Sequence, residues 1–99
     1  MSNAIWFITF KLVEGASVAD FLAASEKVHN EVISKQKGYI SWKVLVDGDT
    51  WADLVTWETI EDAKNAETAG ESNPLSHEFF SFMNESSINS RMFSVERNY

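Results

Sequence analysis

The order of hydrophobic patterns predicts an α+β fold, a ferredoxin-like split β-α-β arrangement with helices on one face of a four-stranded antiparallel sheet. The 99 residues alternate between strand and helix periodicity in the order β-α-β-β-α-(α)-β. Two capping boxes and a hairpin loop separate these segments. A helix of about 19 residues and a strand of about eight have similar lengths, about 28 and 26 Å. We therefore predict one domain, residues 1–99.

The first strand and the first helix have clear signals. Residues 5–13 are rich in β-branched and aromatic side chains, and both faces of this strand are apolar. Ser17 and Asp20 form a capping-box pattern that begins a helix. Its apolar stripe continues to about Lys35.

The middle of the chain reads as a hairpin followed by a second helix. Residues 39–46 and 51–58 are strand patterns joined by the loop 47–50. Thr59 and Asp62 repeat the capping box and begin an Ala-rich helix, which ends near a glycine.

A short third helix and a last strand complete the order. Asn73 and Pro74 combine an N-cap residue with proline in the first helical turn. Residues 88–97 read as the final strand, which the ferredoxin-like order requires.

Composition limits the possible partners and location. The net charge of −7 and only eight basic residues argue against binding nucleic acid or an anionic membrane surface. The absence of cysteine excludes disulfides and thiolate nucleophiles. The chain shows no secretory signal. We expect a soluble, cytoplasmic protein.

The apolar second face of the sheet predicts a homodimer. Helices can cover only one face, and Ile5, Phe7 and Leu54 belong to the other. A second copy of the chain would bury this patch with two-fold symmetry. The alternative is a monomer with scattered surface hydrophobic residues, which are common.

Three junctions resemble those of the antibiotic biosynthesis monooxygenase superfamily. They are residues 54–59 (Leu-Val-Thr-Trp-Glu-Thr) with the following 61–63, residues 10–15, and residues 37–39. The resemblance implies a dimeric α+β barrel. It leaves the activity open, because some members oxidise polyphenols with oxygen and no cofactor, some degrade haem, some process signalling molecules, and many have no known activity.

The residues do not match the haem-degrading branch of this superfamily. That branch has an Asn on the first strand, a Trp at the end of the third and a His about ten residues later. Trp57 fits, but Ile8 and Glu67 occupy the other two positions. The single Glu26-x-x-His29 spacing is too little for a metal site. We expect no metal and no organic cofactor.

Two polar residues are candidate catalytic groups. His29 lies near the middle of the apolar stripe of the first helix, where it could act as a base or orient a phenol. The alternative is a partly buried structural histidine. Asp53 shares a strand face with Trp57 if the third strand alternates regularly, which directs a carboxylate into a pocket. Alternatively, Asp53 faces water beside the hairpin.

Three tryptophans are candidate ligand-binding residues. The resemblance places Trp57 in a pocket between sheet and helices, and Trp6 and Trp42 are candidates for the same wall. The alternative for Trp6 and Trp42 is that they are core residues. His77 falls opposite the apolar side of the third helix, so we expect it to be exposed.

Two functional hypotheses follow. The first is a cofactor-independent monooxygenase or related oxidoreductase acting on a small planar phenolic compound. In it, His29 and Asp53 assist deprotonation, while Trp42 and Trp57 hold the ring. The second is a non-catalytic ligand-binding or interaction module of the same fold. Several polar groups converging on one site would favour the first.

Overall fold

The computed structural model of the chain describes residues 2–99 and confirms the predicted fold class. Seven elements follow in sequence: β1 (Ala4–Phe10), α1 (Val18–Glu31), β2 (Tyr39–Asp47), β3 (Thr50–Trp57), α2 (Ile60–Glu71), α3 (Pro74–Ser81) and β4 (Asn89–Ser94). The strands form one antiparallel sheet in the order β2-β3-β1-β4. The side-chain oxygens of Ser17, Thr59 and Asn73 accept the predicted N-cap hydrogen bonds.

The pleat of β1 and β3 decides which side chains meet the helices. Trp6, opposite Val55, and Ile8, opposite Asp53, lie on the covered face, and all four are buried. Phe7 lies opposite Leu54 on the uncovered face, and both are only partly buried. Successive residues of a strand point to opposite faces, so this register gives the sheet two apolar faces.

β1 ends at Phe10, three residues earlier than the sequence predicts. Its pairing with β3 ends at Phe10, and its pairing with β4 ends at Thr9. Beyond that point Leu12 forms an isolated bridge with Met83. The chain after β1 therefore pairs with the segment after α3, because neither neighbouring strand extends far enough.

α1 ends at Glu31 rather than near Lys35. Val32 has φ −125° and ψ −66°, and a short 3₁₀ turn, Ile33–Lys35, follows. Val32 and Ile33 are both buried at this break. Within residues 2–99, no helix has the length and apolar character needed to cross a membrane.

Phe21 of α1 is the centre of the core. It is fully buried, stacks on Phe79 of α3 at 5.4 Å between ring centroids, and meets Phe10 edge-on at 5.7 Å. Aromatic pairs in such geometries add stabilisation beyond their buried area. This cluster fixes α1 and α3 against the sheet.

Replacing Gly38 with alanine should destabilise the fold more than the same change at Gly15. The two glycines have similar positive φ, 82° and 79°. An alanine Cβ at Gly38 would lie only 2.7 Å from Asp62 Cβ, whereas at Gly15 it would meet nothing within 4 Å. We expect Gly15→Ala to cost about 1 kcal/mol and Gly38→Ala about 1–3 kcal/mol more. Urea denaturation measures both, and equal losses would contradict the close approach.

Candidate functional site

A cavity of about 380 Å³ lies between the covered face of the sheet and the helices. Residues from all four strands, from α1, α2 and α3, and from the segment before β4 form its wall. The lining residues are predominantly apolar: Trp6, Ile8, Val28, Ile33, Trp42, Val55, Ala66, Gly70, Phe79, Phe80 and Ile88, with Asp53, Glu67, Glu71, Ser76, His77 and Ser90 as the polar members. This size and character are typical of a small-molecule site.

Asp53 is the buried acid of this cavity. Its side chain is only 1% exposed, and its Oδ1 accepts a hydrogen bond of 3.1 Å from the indole Nε1 of Trp42. Trp42 pairs with Val55 and Val44 with Asp53, so the two partners are diagonal neighbours across β2 and β3. Long aromatic side chains can span this diagonal. The alternative that Asp53 faces water is therefore wrong.

Burial changes the acidity of Asp53. Desolvation raises the pKa of its carboxyl from 3.8 to about 7, although the hydrogen bond from Trp42 acts in the opposite direction. A low-dielectric environment disfavours the charged form of a carboxyl group. Asp53 can therefore exchange a proton near neutral pH.

Trp6 and Trp42 form two aromatic parts of the wall. The indole Nε1 of Trp6 donates to Ser90 Oγ at 2.8 Å, while that of Trp42 donates to Asp53. Trp42 also meets Phe79 edge-on at 5.7 Å. Both indole N–H groups are thus occupied, so these side chains offer chiefly aromatic surface to the cavity. Their role in ligand binding stays a prediction.

His29 lies outside the cavity. Its Nε2 is 2.9 Å from the Tyr39 hydroxyl, and its Nδ1 is 2.8 Å from Asn30 Oδ1. Burial raises the pKa of the Tyr39 phenol. His29 borders a smaller recess of about 200 Å³, which is lined by Ser25, Glu26, His29, Trp42 and Val44. Trp42 alone borders both spaces, so His29 and Asp53 line separate spaces that share this one indole.

Trp57 also lies outside the cavity wall. It is fully buried and packs edge-on against Tyr39 at 5.8 Å between ring centroids. Its Nε1 has no hydrogen-bond partner within residues 2–99. The resemblance that placed Trp57 in the pocket identified the correct face of β3, but the ring occupies a different part of the core.

Several wall residues escaped the sequence reasoning. Ser76 is 5% exposed, and with Phe79 and Phe80 it brings α3 into the wall. His77 is exposed, as predicted, yet it borders the cavity mouth with Glu67 and Glu71. The hydrophobic pattern of α3 indicated a packed helix but not that it borders a cavity. Within the described chain, no three His, Asp or Glu side chains converge as a metal-binding group.

Solved structures with this fold exist at low sequence identity. A single-site variant of SnoaB, a cofactor-independent oxygenase from Streptomyces nogalater, matches with a TM-score of 0.80 and 10% identity, over 99% of this chain and 97% of that one. A candidate antibiotic biosynthesis monooxygenase from Bordetella bronchiseptica matches with a TM-score of 0.78 and 11% identity, over 94% and 96% of the two chains. Another, from Bacillus cereus, has a TM-score of 0.67 and 22% identity, over 100% and 96%.

This chain has the fold of the antibiotic biosynthesis monooxygenases. No protein-family model matches it, and no curated protein matches its sequence. At these identities the likeness concerns the fold. In the antibiotic biosynthesis monooxygenase fold seen here, the sheet supplies Asp53, Trp6 and Trp42 to the wall, and α1, α2 and α3 supply most of the opposite side.

The raised pKa of Asp53 should make stability fall as the pH rises. The folded state keeps the Asp53 proton up to about pH 7, whereas the unfolded state loses it near pH 3.8. Between these values the folded state binds more protons, so the free energy of unfolding should decrease with pH by up to about 4 kcal/mol. Asp53→Asn should flatten this dependence.

Denaturant unfolding between pH 4 and 8 measures the effect. Asp47→Asn, at an exposed carboxyl of the same hairpin, removes the same charge and serves as the control. Parallel pH profiles for the Asp53→Asn variant and the unmodified protein would refute the raised pKa.

Proposed function

We propose that this chain is a monooxygenase that oxidises a small planar phenolic compound with molecular oxygen, without a metal or organic cofactor. Asp53 is its general base, and Trp6 and Trp42 hold the aromatic ring. The observation that carries the proposal is a nearly fully buried carboxyl of pKa about 7 that faces an apolar cavity with aromatic walls. The likeness of the fold to a cofactor-independent oxygenase supports the same reaction class.

The base is suited to removing a phenolic proton. A general base works best when its pKa lies near the operating pH, and burial brings Asp53 there. Transfer of the phenol proton to the Asp53 carboxylate leaves a phenolate, which donates electrons to oxygen more readily than the phenol does.

The reaction balances without an added reductant. A phenol and one O₂ give a quinone and one water. One oxygen atom becomes the new carbonyl oxygen at a ring carbon that carried a single hydrogen. The other oxygen atom leaves as water with that hydrogen and the hydrogen of the phenol hydroxyl. The phenol itself supplies the electrons.

His29 acts on this site as a positioning residue. Its ring lies 5.9 Å from that of Trp42 and contacts Tyr39, so it supports the indole that donates to Asp53. Such a residue influences the rate through the orientation of Trp42 rather than by accepting the substrate proton.

Asp53→Asn should reduce oxygen-dependent turnover of a phenolic substrate by about 10²–10⁴-fold, because it removes the base. Binding, followed by quenching of tryptophan fluorescence, should change by less than about threefold. In the unmodified protein, turnover should rise with pH through about 7 as Asp53 loses its proton. Oxygen uptake over a panel of naphthols and hydroxyanthracenes measures these rates.

The control for Asp53→Asn is His29→Gln, because His29 lines the neighbouring recess and not the cavity. We expect turnover within about tenfold of the unmodified protein and an unchanged shape of the pH profile. If Asp53→Asn keeps its turnover while His29→Gln loses it, the base is His29 and the assignment of Asp53 is wrong.

A non-catalytic binding module of the same fold is the second candidate. The feature that favours it is the wall itself, in which aromatic and aliphatic side chains outnumber polar ones. Quenching of tryptophan fluorescence by aromatic compounds, without oxygen uptake for any of them, would support this alternative.

We also propose that the protein is a cytoplasmic homodimer whose copies join through the uncovered face of the sheet. One row across this face holds Lys43, Leu54, Phe7 and Arg91, and the next holds Ser41, Thr56, Ile5 and Phe93. Phe93 is 46% exposed, and the guanidinium of Arg91 lies 5.3 Å above its ring. A second copy would remove this apolar surface from water.

Phe7→Asp should shift the protein from dimer to monomer, because it puts a charge in the middle of the proposed interface. We expect sedimentation at micromolar concentration to give twice the chain mass before the change and one chain mass after it. Stability should also fall with dilution of the unmodified protein. Val18→Asp, at an exposed residue of α1, is the control. A monomeric unmodified protein would contradict the proposal.

A further inference from the structure

The mouth of the cavity is acidic. Asp53, Glu67 and Glu71 line the cavity, and no lysine or arginine does. Asp53 is buried deep in the wall, whereas Glu67 is partly exposed and Glu71 is exposed. The two glutamates, with the exposed His77, therefore mark a side of the cavity that is open to solvent; Ser90, on β4, is also exposed.

Helical spacing places the two glutamates together. Glu67 and Glu71 are four residues apart on α2, so they lie on the same side of the helix. Ala66 and Gly70, one residue before each, are buried in the wall. Because Ala66 and Gly70 are small, the backbone of α2 itself forms part of the cavity wall. The side chains of Glu67 and Glu71 lie next to them, at the edge of the cavity.

These two carboxylates have no cationic partner. Within residues 2–99, the only ion pair joins Lys11 and Asp49, neither of which lines the cavity. His77, which borders the mouth, directs its Nε2 to the backbone carbonyl of Glu71. An apolar cavity with unpaired charges of one sign at its entrance attracts ligands of the opposite sign.

A second feature of the wall points independently to a polar ligand. Ser76 is 5% exposed and lines the cavity; its hydroxyl is not among the fully enclosed side-chain atoms without a partner in residues 2–99, so it borders the open space. A hydroxyl group at the wall of a cavity can donate to or accept from a polar atom of a molecule bound there. The Ser76 hydroxyl is therefore available to a polar atom of a bound molecule.

We propose that the cavity selects aromatic compounds that carry a cationic amine. The ring lies against Trp6, Trp42 and Phe79, and the ammonium group lies at the mouth between Glu67 and Glu71. This inference rests on the proposed function, since it names the class of phenolic substrate. Aromatic carboxylates are rejected, because their charge would meet three carboxyl groups and no cation.

The mouth suits an ammonium group better than the interior does. An ion pair at a partly hydrated mouth avoids the large desolvation cost of burying both charges. Asp53 already accepts the hydrogen bond from Trp42, and the proposed reaction requires it to accept a proton from the phenol. The two ends of the ligand thus meet different carboxyl groups.

A matched series of probes tests the charge preference. The probes are 2-naphthols substituted with an aminoethyl, a hydroxyethyl or a carboxymethyl group, which are cationic, neutral and anionic at pH 8. We expect calorimetry in low salt to show the cation binding about tenfold or more tighter than the anion, with the neutral probe between them. Salt at 0.5 M should reduce the ratio to about threefold or less.

Paired substitutions locate the preference. Glu67→Gln with Glu71→Gln should bring the three affinities within about threefold and leave the neutral probe unaffected. Glu58→Gln with Glu61→Gln is the control, because it makes the same change in net charge at exposed residues outside this cavity. The control should keep the full preference.

Three results would overturn the inference. They are an anionic probe that binds as tightly as the cationic one, a preference that survives the loss of Glu67 and Glu71, and a cationic probe that does not bind at millimolar concentration. Because binding is measured in oxygen-free buffer, where the proposed reaction cannot proceed, a clear preference together with no oxygen uptake in air upholds the inference while it refutes the monooxygenase. Oxygen-dependent turnover without a charge preference would uphold the monooxygenase and refute the inference about cationic ligands.

Discussion

A carboxyl group buried on the helix-covered face of a sheet is the constraint on which the rest of this site depends. Asp53 is held there by one hydrogen bond from Trp42, although a carboxyl group removed from water loses much of its solvation. The β2–β3 register makes the contact possible, because it brings the indole diagonally across from the acid. The remaining stability of the fold must offset this burial, which is a common property of functional sites.

The aromatic core and the cavity wall share side chains. Phe79 stacks on Phe21 in the core and meets Trp42 in the wall, so one ring belongs to both. Trp42 in turn borders both the cavity and the recess of His29. The orientation of the indole that donates to Asp53 is thus fixed by packing that extends to α1 and α3. Such support is what holds a reactive group in one geometry.

The two faces of the sheet serve different purposes. One face contributes Trp6, Ile8 and Asp53 to the cavity, and the opposite face carries Ile5 and Phe7. Because strand residues alternate, β1 can serve both faces with one short sequence. An insertion of one residue in β1 would exchange the two faces of the strand. The side chains that line the cavity would then point away from the helices, and Ile5 and Phe7 would point toward them.

The sequence alone determined the elements, their order and the face on which each strand residue lies. The capping residues Ser17, Thr59 and Asn73 act within one helical turn, and strand alternation is equally local, so both could be read from the chain. The predicted alternation of β3 gave the cavity side as one of two alternatives for Asp53, and the tertiary structure decided between that side and a water-facing carboxylate. Only the tertiary structure decided which side chains on that side border empty space. His29 turned to Tyr39, Trp57 filled the core, and α3 brought Ser76 to the wall, because cavity shape depends on how distant elements pack against one another.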